Sequence, residues 1–190
     1  MNEVQTTPSA DSDERLMYEV VQGRRDRLEM LVRRYAGPLL TYIRRMVGSE
    51  HRSEELFQEV FLSVWVKRHQ YKFPMPFRAW LFTIATNRCR QDFRKPRREV
   101  NSGDDGVSDV RPSREVNPMD MAIQSETAKA VAQAVSQLPP KQREVVVLRV
   151  WNQLSYAEIA KALGAQEATV RSHMHHGLTS MRKLLDSALA

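Results

Sequence analysis

Cysteine is almost missing from this chain of 190 residues: Cys89 is the single one. No internal disulfide can form, so packing must hold the fold, as suits a reducing cytosol. The 7 glycines form no phosphate-cradling loop. No nucleophile–base–acid pattern and no metal-ligand set stands out, so an enzyme is not expected and no cofactor is implied. No apolar run approaches the roughly 18 residues that span a bilayer. The opening segment, MNEVQTTPSADSDE, is polar and acidic, unlike a signal peptide. The expectation is a cytoplasmic protein without membrane insertion. Strand-like alternation is also missing. Its nearest approach, Val145 to Leu148, lies in a helical frame that begins after Pro139-Pro140.

What is present is positive charge and helical periodicity. Lys and Arg number 29 against 23 Asp and Glu, a net +6. A moderately basic chain suits a polyanionic partner. Residues 1–11 read as a frayed, disordered tail and 12–95 as nearly continuous helix. Residues 96–124 hold Pro96, Gly103, Gly106, Pro112 and Pro118 with few large apolar residues. That composition predicts a flexible linker. Residues 125–190 are helical again. The predicted fold is all-α: two small helical domains, 12–95 and 125–190, joined by a flexible linker.

The most informative stretch is LPPKQREVVVLRVWNQLSYAEIAKALGAQEATVRSHMHHGLTSMRKLL, residues 138–185. Ser155 and Glu158 have capping-box spacing. Ala157, Ile159, Ala160 and Leu163 give that helix an apolar face, and Gly164 suits its left-handed end. A second helix follows from about Gln166. Val170, Met174, Leu178, Met181 and Leu185 predict an inward stripe. Arg171, Ser172, His175, His176, Thr179 and Arg182 lie opposite, donors of the kind that meet phosphates and base edges. This is a helix-turn-helix pattern. The plainer alternative is an αα-hairpin with a solvated face.

Three segments of the first domain carry patterns. In 25–47, Leu28, Leu31, Val32, Tyr35, Leu39, Tyr42, Ile43 and Met46 form a core stripe, and Gly37-Pro38 predicts a break or kink. In 53–68, Ser53 reads as the N-cap, with Glu54 and Glu55 at the positive end of the helix dipole. Leu56, Val60 and Val64 make one apolar row; Phe57, Phe61 and Trp65 make the next. Glu55, Gln58, Glu59 and Leu62 share another face, and spacing alone leaves open whether it meets a partner or water. In 71–98, aromatics interleave with cations, and Arg88 to Arg98 holds six cations in eleven residues. Aromatics that stack bases and cations that track phosphates are the elements of single-strand binding. Trp80, Leu81, Ile84 and Ala85 read as plain core. Tyr71 and Phe73, in a loop bracketed by Pro74 and Pro76, read as candidates for stacking on an unpaired base.

Taken together, these segments resemble a bacterial RNA polymerase sigma factor of the sigma-70 family, extracytoplasmic-function (ECF) group. SEELFQEVFLSVW resembles the family's region 2.2, FRAWLFTIATNRCRQDFRK its regions 2.3–2.4, and residues 138–185 its region 4. The short chain between the halves leaves no room for the middle domain of larger sigma factors. The resemblance implies that Glu55, Gln58 and Glu59 meet the clamp helices of the polymerase's largest subunit. It implies that Tyr71, Phe73 and Asn87 capture a base flipped from the −10 element, while Arg88, Arg90, Arg94 and Lys95 hold the backbone nearby. It implies that Arg171, Ser172, His173, His175 and His176 grip the −35 element, and that helices from about Glu126 to Arg149 dock on the polymerase flap. Core RNA polymerase and promoter DNA are the implied partners, and members of this group are often held by an anti-sigma factor.

The chain departs from the pattern at His173 and His176, where the family usually has arginine, and at Gly177. Histidine is mostly neutral near pH 7, so its phosphate grip is weaker. Of His173, His175 and His176, only the first and last have same-face spacing, and no Cys or acid set stands beside them, so zinc is not expected. Mid-helix Cys89 reads as a packed thiol rather than a redox sensor. A reading from another class is a regulator that binds duplex DNA as a dimer through its helix-turn-helix. It leaves Tyr71 to Arg98 and the 53–68 helix unexplained. It would also bind a palindrome alone, whereas a sigma factor needs core enzyme and an asymmetric two-part site.

Overall fold

The structure is a computed structural model that describes the backbone of residues 12–94 and 118–189 and the side chains of 12–94 and 126–187. The expected tail over 1–11, Lys95 and most of the expected linker lie outside the described residues. Every regular element among the described residues is helical. The first domain holds α1 (Asp13–Val21), α2 (Arg25–Val47), α3 (Glu50–Val66), a 3-10 turn at Arg68–Gln70, and α4 (Phe77–Arg94). The second holds α5 (Pro118–Gln137), α6 (Pro140–Val150), α7 (Tyr156–Leu163) and α8 (Glu167–Leu189). Helix α5 therefore reaches back to Pro118, into the stretch expected as linker.

The first domain packs α1, α3 and α4 around α2. Leu31, Leu39, Tyr42 and Ile43 of α2 are fully buried, as are Val60 and Val64 of α3 and Phe77, Leu81 and Phe82 of α4. The hydroxyls of Tyr42 and Thr86 meet at 2.8 Å inside this core, so neither polar group is orphaned. Cys89 is fully buried, and burial pushes its thiol up to about 12. It is a packed side chain, as expected.

Two boundaries differ from expectation. Helix α2 runs through Gly37-Pro38 without a break. A proline inside a helix costs about 3 kcal/mol. Tyr35 before it and Leu39, Tyr42 and Ile43 after it are all buried, and that packing outweighs the cost. The break falls instead at Gly48, left-handed at φ 77°, and Ser49 caps α3 by accepting from the Arg52 N–H. Ser53 is not the cap: it is fully buried one turn inside α3 and donates to the Ser49 carbonyl.

The second domain follows its local signals closely. Ser155 and Glu158 form a complete capping box, and Gly164 ends α7 at φ 62°. Val145 to Leu148 are all fully buried in α6, which starts at Pro140. The two domains touch, α7 lying along α4 and α6 against α2.

Candidate polymerase and nucleic-acid interfaces

Glu55, Gln58 and Leu62 of α3 are exposed and Glu59 is half-buried, so the face expected from spacing exists. Its acidity is largely answered within the domain. Arg52 reaches Glu55 at 2.6 Å, Glu59 at 3.3 Å and Asp92 of α4 at 2.7 Å. The Arg52 hydrogen bond holds the Glu55 carboxyl below the usual carboxylate range. Arg88 of α4 lies 3.8 Å from Glu59 and donates to the Ser63 hydroxyl at 2.7 Å. Beside these paired acids the face carries exposed Gln58 and two exposed apolar side chains. Leu62 is 63% exposed and Val66, one turn on, 65%. Adjacent large apolar side chains in water mark a contact surface. The sequence reading included Leu62 and missed Val66, which extends the same spacing by four residues.

The aromatic loop divides into two roles. Tyr71 is only 5% exposed, which corrects its expected place as the stacking surface. Its ring packs edge-on against Trp80 at 5.4 Å and Phe77 at 6.4 Å. Its hydroxyl donates back to the Met75 carbonyl, tying the loop closed. The apolar surface that Phe77 and Trp80 of α4 present is what takes the ring in. Phe73, 40% exposed, lies 5.5 Å from the exposed ring of Tyr18 on α1. Asn87 is exposed on α4 and lines a recess of about 220 Å³ with Lys67, Gln70, Trp80, Thr83 and Arg88. Trp80, Thr83, Asn87 and Gln91 follow one another at i, i+3, i+7 and i+11, a donor-bearing row legible in the sequence but obscured by reading Trp80 as core.

The basic run is not uniformly free. Arg90 forks onto Glu144 of α6, Nε to Oε1 at 2.7 Å and Nη2 to Oε2 at 2.6 Å. Arg94 is exposed. In the second domain, Arg171, Ser172, His175, His176, Thr179 and Arg182 of α8 are all exposed, as the periodicity predicts. Arg171 pairs with Glu167 at 2.5 Å and lies 4.5 Å over the Tyr156 ring. His173 departs from the set. It is half-buried and lines a cavity shared with Arg90, Phe93 and Arg94 of α4. The inward stripe of α8 also shifts. Leu178 is 48% exposed, and Gly177 is the buried residue between Met174 and Met181. A Cβ at Gly177 would lie 2.7 Å from Cγ2 of Val146, itself fully buried. The missing side chain lets α8 approach α6. Gly177→Val is expected to lower stability by about 2–3 kcal/mol, since overpacking exceeds any gain in helix propensity. Urea unfolding checks this; an unchanged midpoint would mean α8 is not held this close.

The sequence matches the family model "Sigma-70 region 2" over residues 31–99 and "Sigma-70, region 4" over 128–181. Among curated relatives, the ECF RNA polymerase sigma factor BldN of Streptomyces coelicolor is 31% identical over 94% of this chain and 69% of its own. SigX of Bacillus subtilis is 30% identical over 83% of both chains. The chain belongs to the ECF RNA polymerase sigma factors. SigW of Bacillus subtilis is 28% identical over 88% of this sigma factor and 93% of its own length. The fold is also found in CnrH, solved with the cytosolic domain of CnrY, at a TM-score of 0.72 and 25% identity, covering 93% of this chain and 99% of that one. The sigma factor RpoE of Bartonella quintana, solved with the anti-sigma factor NepR, shares the fold at a TM-score of 0.67 and 20% identity, over 83% and 96% of the two chains. In this sigma factor, region 2 corresponds to α2–α4 and region 4 to α5–α8. No helix among the described residues is long and apolar enough to cross a membrane.

Proposed function

We propose that this sigma factor binds core RNA polymerase through α3, recognises a two-part promoter through α4 and α8, and nucleates melting without catalysing a reaction. It acts in the cytoplasm. The observation that carries the reading is the pair of donor-bearing surfaces on separate domains. One is the Asn87 recess on α4; the other is the exposed row of Arg171, Ser172, His175 and His176 on α8. One domain captures an unpaired base, and the other grips a duplex groove. The clamp helices of the largest subunit meet Gln58, Leu62 and Val66, with Glu55 and Glu59 at the edge. Phe73 supplies the stacking ring that Tyr71 does not, and Arg94, Lys95 and Arg90 hold the strand. Capture of flipped bases offsets an unstacking cost of a few kcal/mol per base, so no ATP is needed. CnrH was solved with the cytosolic domain of CnrY and RpoE with the anti-sigma factor NepR, and an anti-sigma partner is expected for this sigma factor as well.

Transcription with bacterial core polymerase on a pooled random-promoter library tests the proposal. Transcripts sharing a −35/−10 pair are expected. None, with tight binding of the free chain to a palindromic duplex, would favour a dimeric regulator. On the promoter so found, His176→Arg is expected to raise affinity severalfold and steepen the salt dependence by about one unit, the mark of an added phosphate contact. Identical affinity and salt slope would remove His176 from the DNA face.

A further inference from the structure

Helix α1 lies before the stretch matched to region 2, which begins at residue 31. Its inner face is core: Leu16, Met17 and Val20 are buried. Its acids are engaged within the domain. Asp13 accepts from Arg34 and from the Tyr35 hydroxyl, Glu14 accepts the Phe77 N–H at 3.1 Å, and Glu19 lies 2.9 Å from Arg27. The Glu14 bond pins α1 to the first residue of α4. The outer face carries Arg15, Tyr18 and Gln22, all exposed and spaced at i, i+3 and i+7, so they form one row.

This row meets the aromatic loop. Tyr18 is 38% exposed beside the exposed Phe73, their ring centroids 5.5 Å apart and their planes tilted by 56°. Two adjacent rings left in water mark a contact surface. The cations beside them indicate its occupant. The Arg15 guanidinium lies 5.3 Å from the Tyr18 ring, and Lys72 is exposed next to Phe73 in the chain. Glu19, 3.6 Å from Arg15, is nearer to Arg27. Rings that take base faces, set among cations that take phosphates, suit an unpaired strand. Stacked bases of one strand are about 3.4 Å apart, so rings at this separation serve bases one or two positions apart. The direction follows from the chain. Helix α4 runs from Phe77 to Arg94, and its far end leads to the domain that takes the upstream −35 element. The Phe73–Tyr18 end therefore faces downstream.

We propose that α1 extends the single-strand surface: Tyr18 stacks on an unpaired non-template base just downstream of the one held by Phe73 and Asn87, and Arg15 pairs with a phosphate beside it. Stacking tolerates any base, so this extension holds the strand open without adding to promoter choice. The inference rests on the reading of Phe73 as a stacking ring.

The test uses holoenzyme assembled with core polymerase on a promoter recovered from the random library. Iodouracil is placed in turn at each non-template position from the −10 element to the start site, and irradiated. A crosslink to the peptide carrying Tyr18 is expected from a position downstream of the captured base. Tyr18→Leu keeps bulk against Phe73 without a π face, and is expected to lower promoter opening about tenfold by permanganate reactivity. Tyr18→Phe should restore opening to within about twofold. Arg15→Gln should reduce the salt slope by about one. Core binding and the urea midpoint should stay at wild-type values; the wild-type crosslink needs no variant and stands whether or not these hold. No crosslink to α1 overturns the proposal, and loss of opening together with weaker core binding would then make the ring pair a protein contact. A crosslink with full opening in Tyr18→Leu overturns it as well, leaving Tyr18 a bystander to the strand. Phe73→Ala separates the two layers. If it impairs opening and Tyr18→Leu does not, the stacking loop stands and the α1 extension falls; if neither impairs opening, both fall.

Discussion

Tyr71→Ala lowers the unfolding free energy by about 3–5 kcal/mol, the cost of removing a buried aromatic ring from a packed core. The ring is 5% exposed and sits edge-on to Trp80 and Phe77, so its loss leaves a cavity that α4 cannot easily fill. Tyr71→Phe keeps the ring and loses the bond to the Met75 carbonyl, and should cost about 1 kcal/mol. Phe73→Ala behaves oppositely. Its ring is 40% exposed against an exposed Tyr18, so stability changes by less than about 1 kcal/mol. Promoter opening should fall tenfold or more, since a stacked base is worth about 1–3 kcal/mol. Urea unfolding and permanganate reactivity of the promoter separate the two roles. If Tyr71→Ala unfolds at the wild-type midpoint yet blocks opening, Tyr71 leaves its pocket to meet DNA and the assignment reverses.

Leu62→Ala with Val66→Ala should weaken binding to core polymerase on the order of a hundredfold, ~2–3 kcal/mol, by deleting two side chains that become buried in the complex. The free protein should unfold as wild type does, because both residues are more than half exposed. Gln58→Ala should cost only a few fold, as a polar contact near an interface edge. Glu59→Arg would not report on this surface alone. It would set a third cation beside Arg52 and Arg88, both of which now face Glu59, and disturb the α3–α4 packing. Titration of labelled core enzyme decides the matter. Unaltered affinity for the double variant would place the polymerase contact off this stripe.

The sequence was most legible where structure depends on neighbours within a turn or two. Ser155, Glu158 and Gly164 set the start and end of α7 by bonds to their own backbone, and the helix obeys them. Ser53, followed by two acids, offers a cap signal, but the helix starts four residues earlier, where Gly48 takes the left-handed conformation and Ser49 accepts from the Arg52 N–H. Pro38, expected to break or kink the helix, does not break it. Its cost is fixed by backbone chemistry, but the core contacts of Tyr35, Leu39 and Tyr42 that outweigh it come from α3 and α4. On α8, a step of four from Met174 points to Leu178 and a step of three to Gly177. Only the position of Val146 across the helix pair selects the glycine.

By itself the sequence determined the helical class, the division into two halves, the helix-turn-helix with its exposed donor row, and the family, because periodicity, caps and composition are properties of short stretches. Only the tertiary structure decided which residues are free to act. Tyr71 went inside while Phe73 stayed out, since loop direction depends on what α4 presents. Arg88 of α4 came to lie 3.8 Å from Glu59 of α3, because α4 packs along α3. Arg90 met Glu144, 54 residues away in the chain, because the two domains close on each other. A cation is legible in sequence; whether it already has a partner depends on distances in space, which spacing along the chain does not carry.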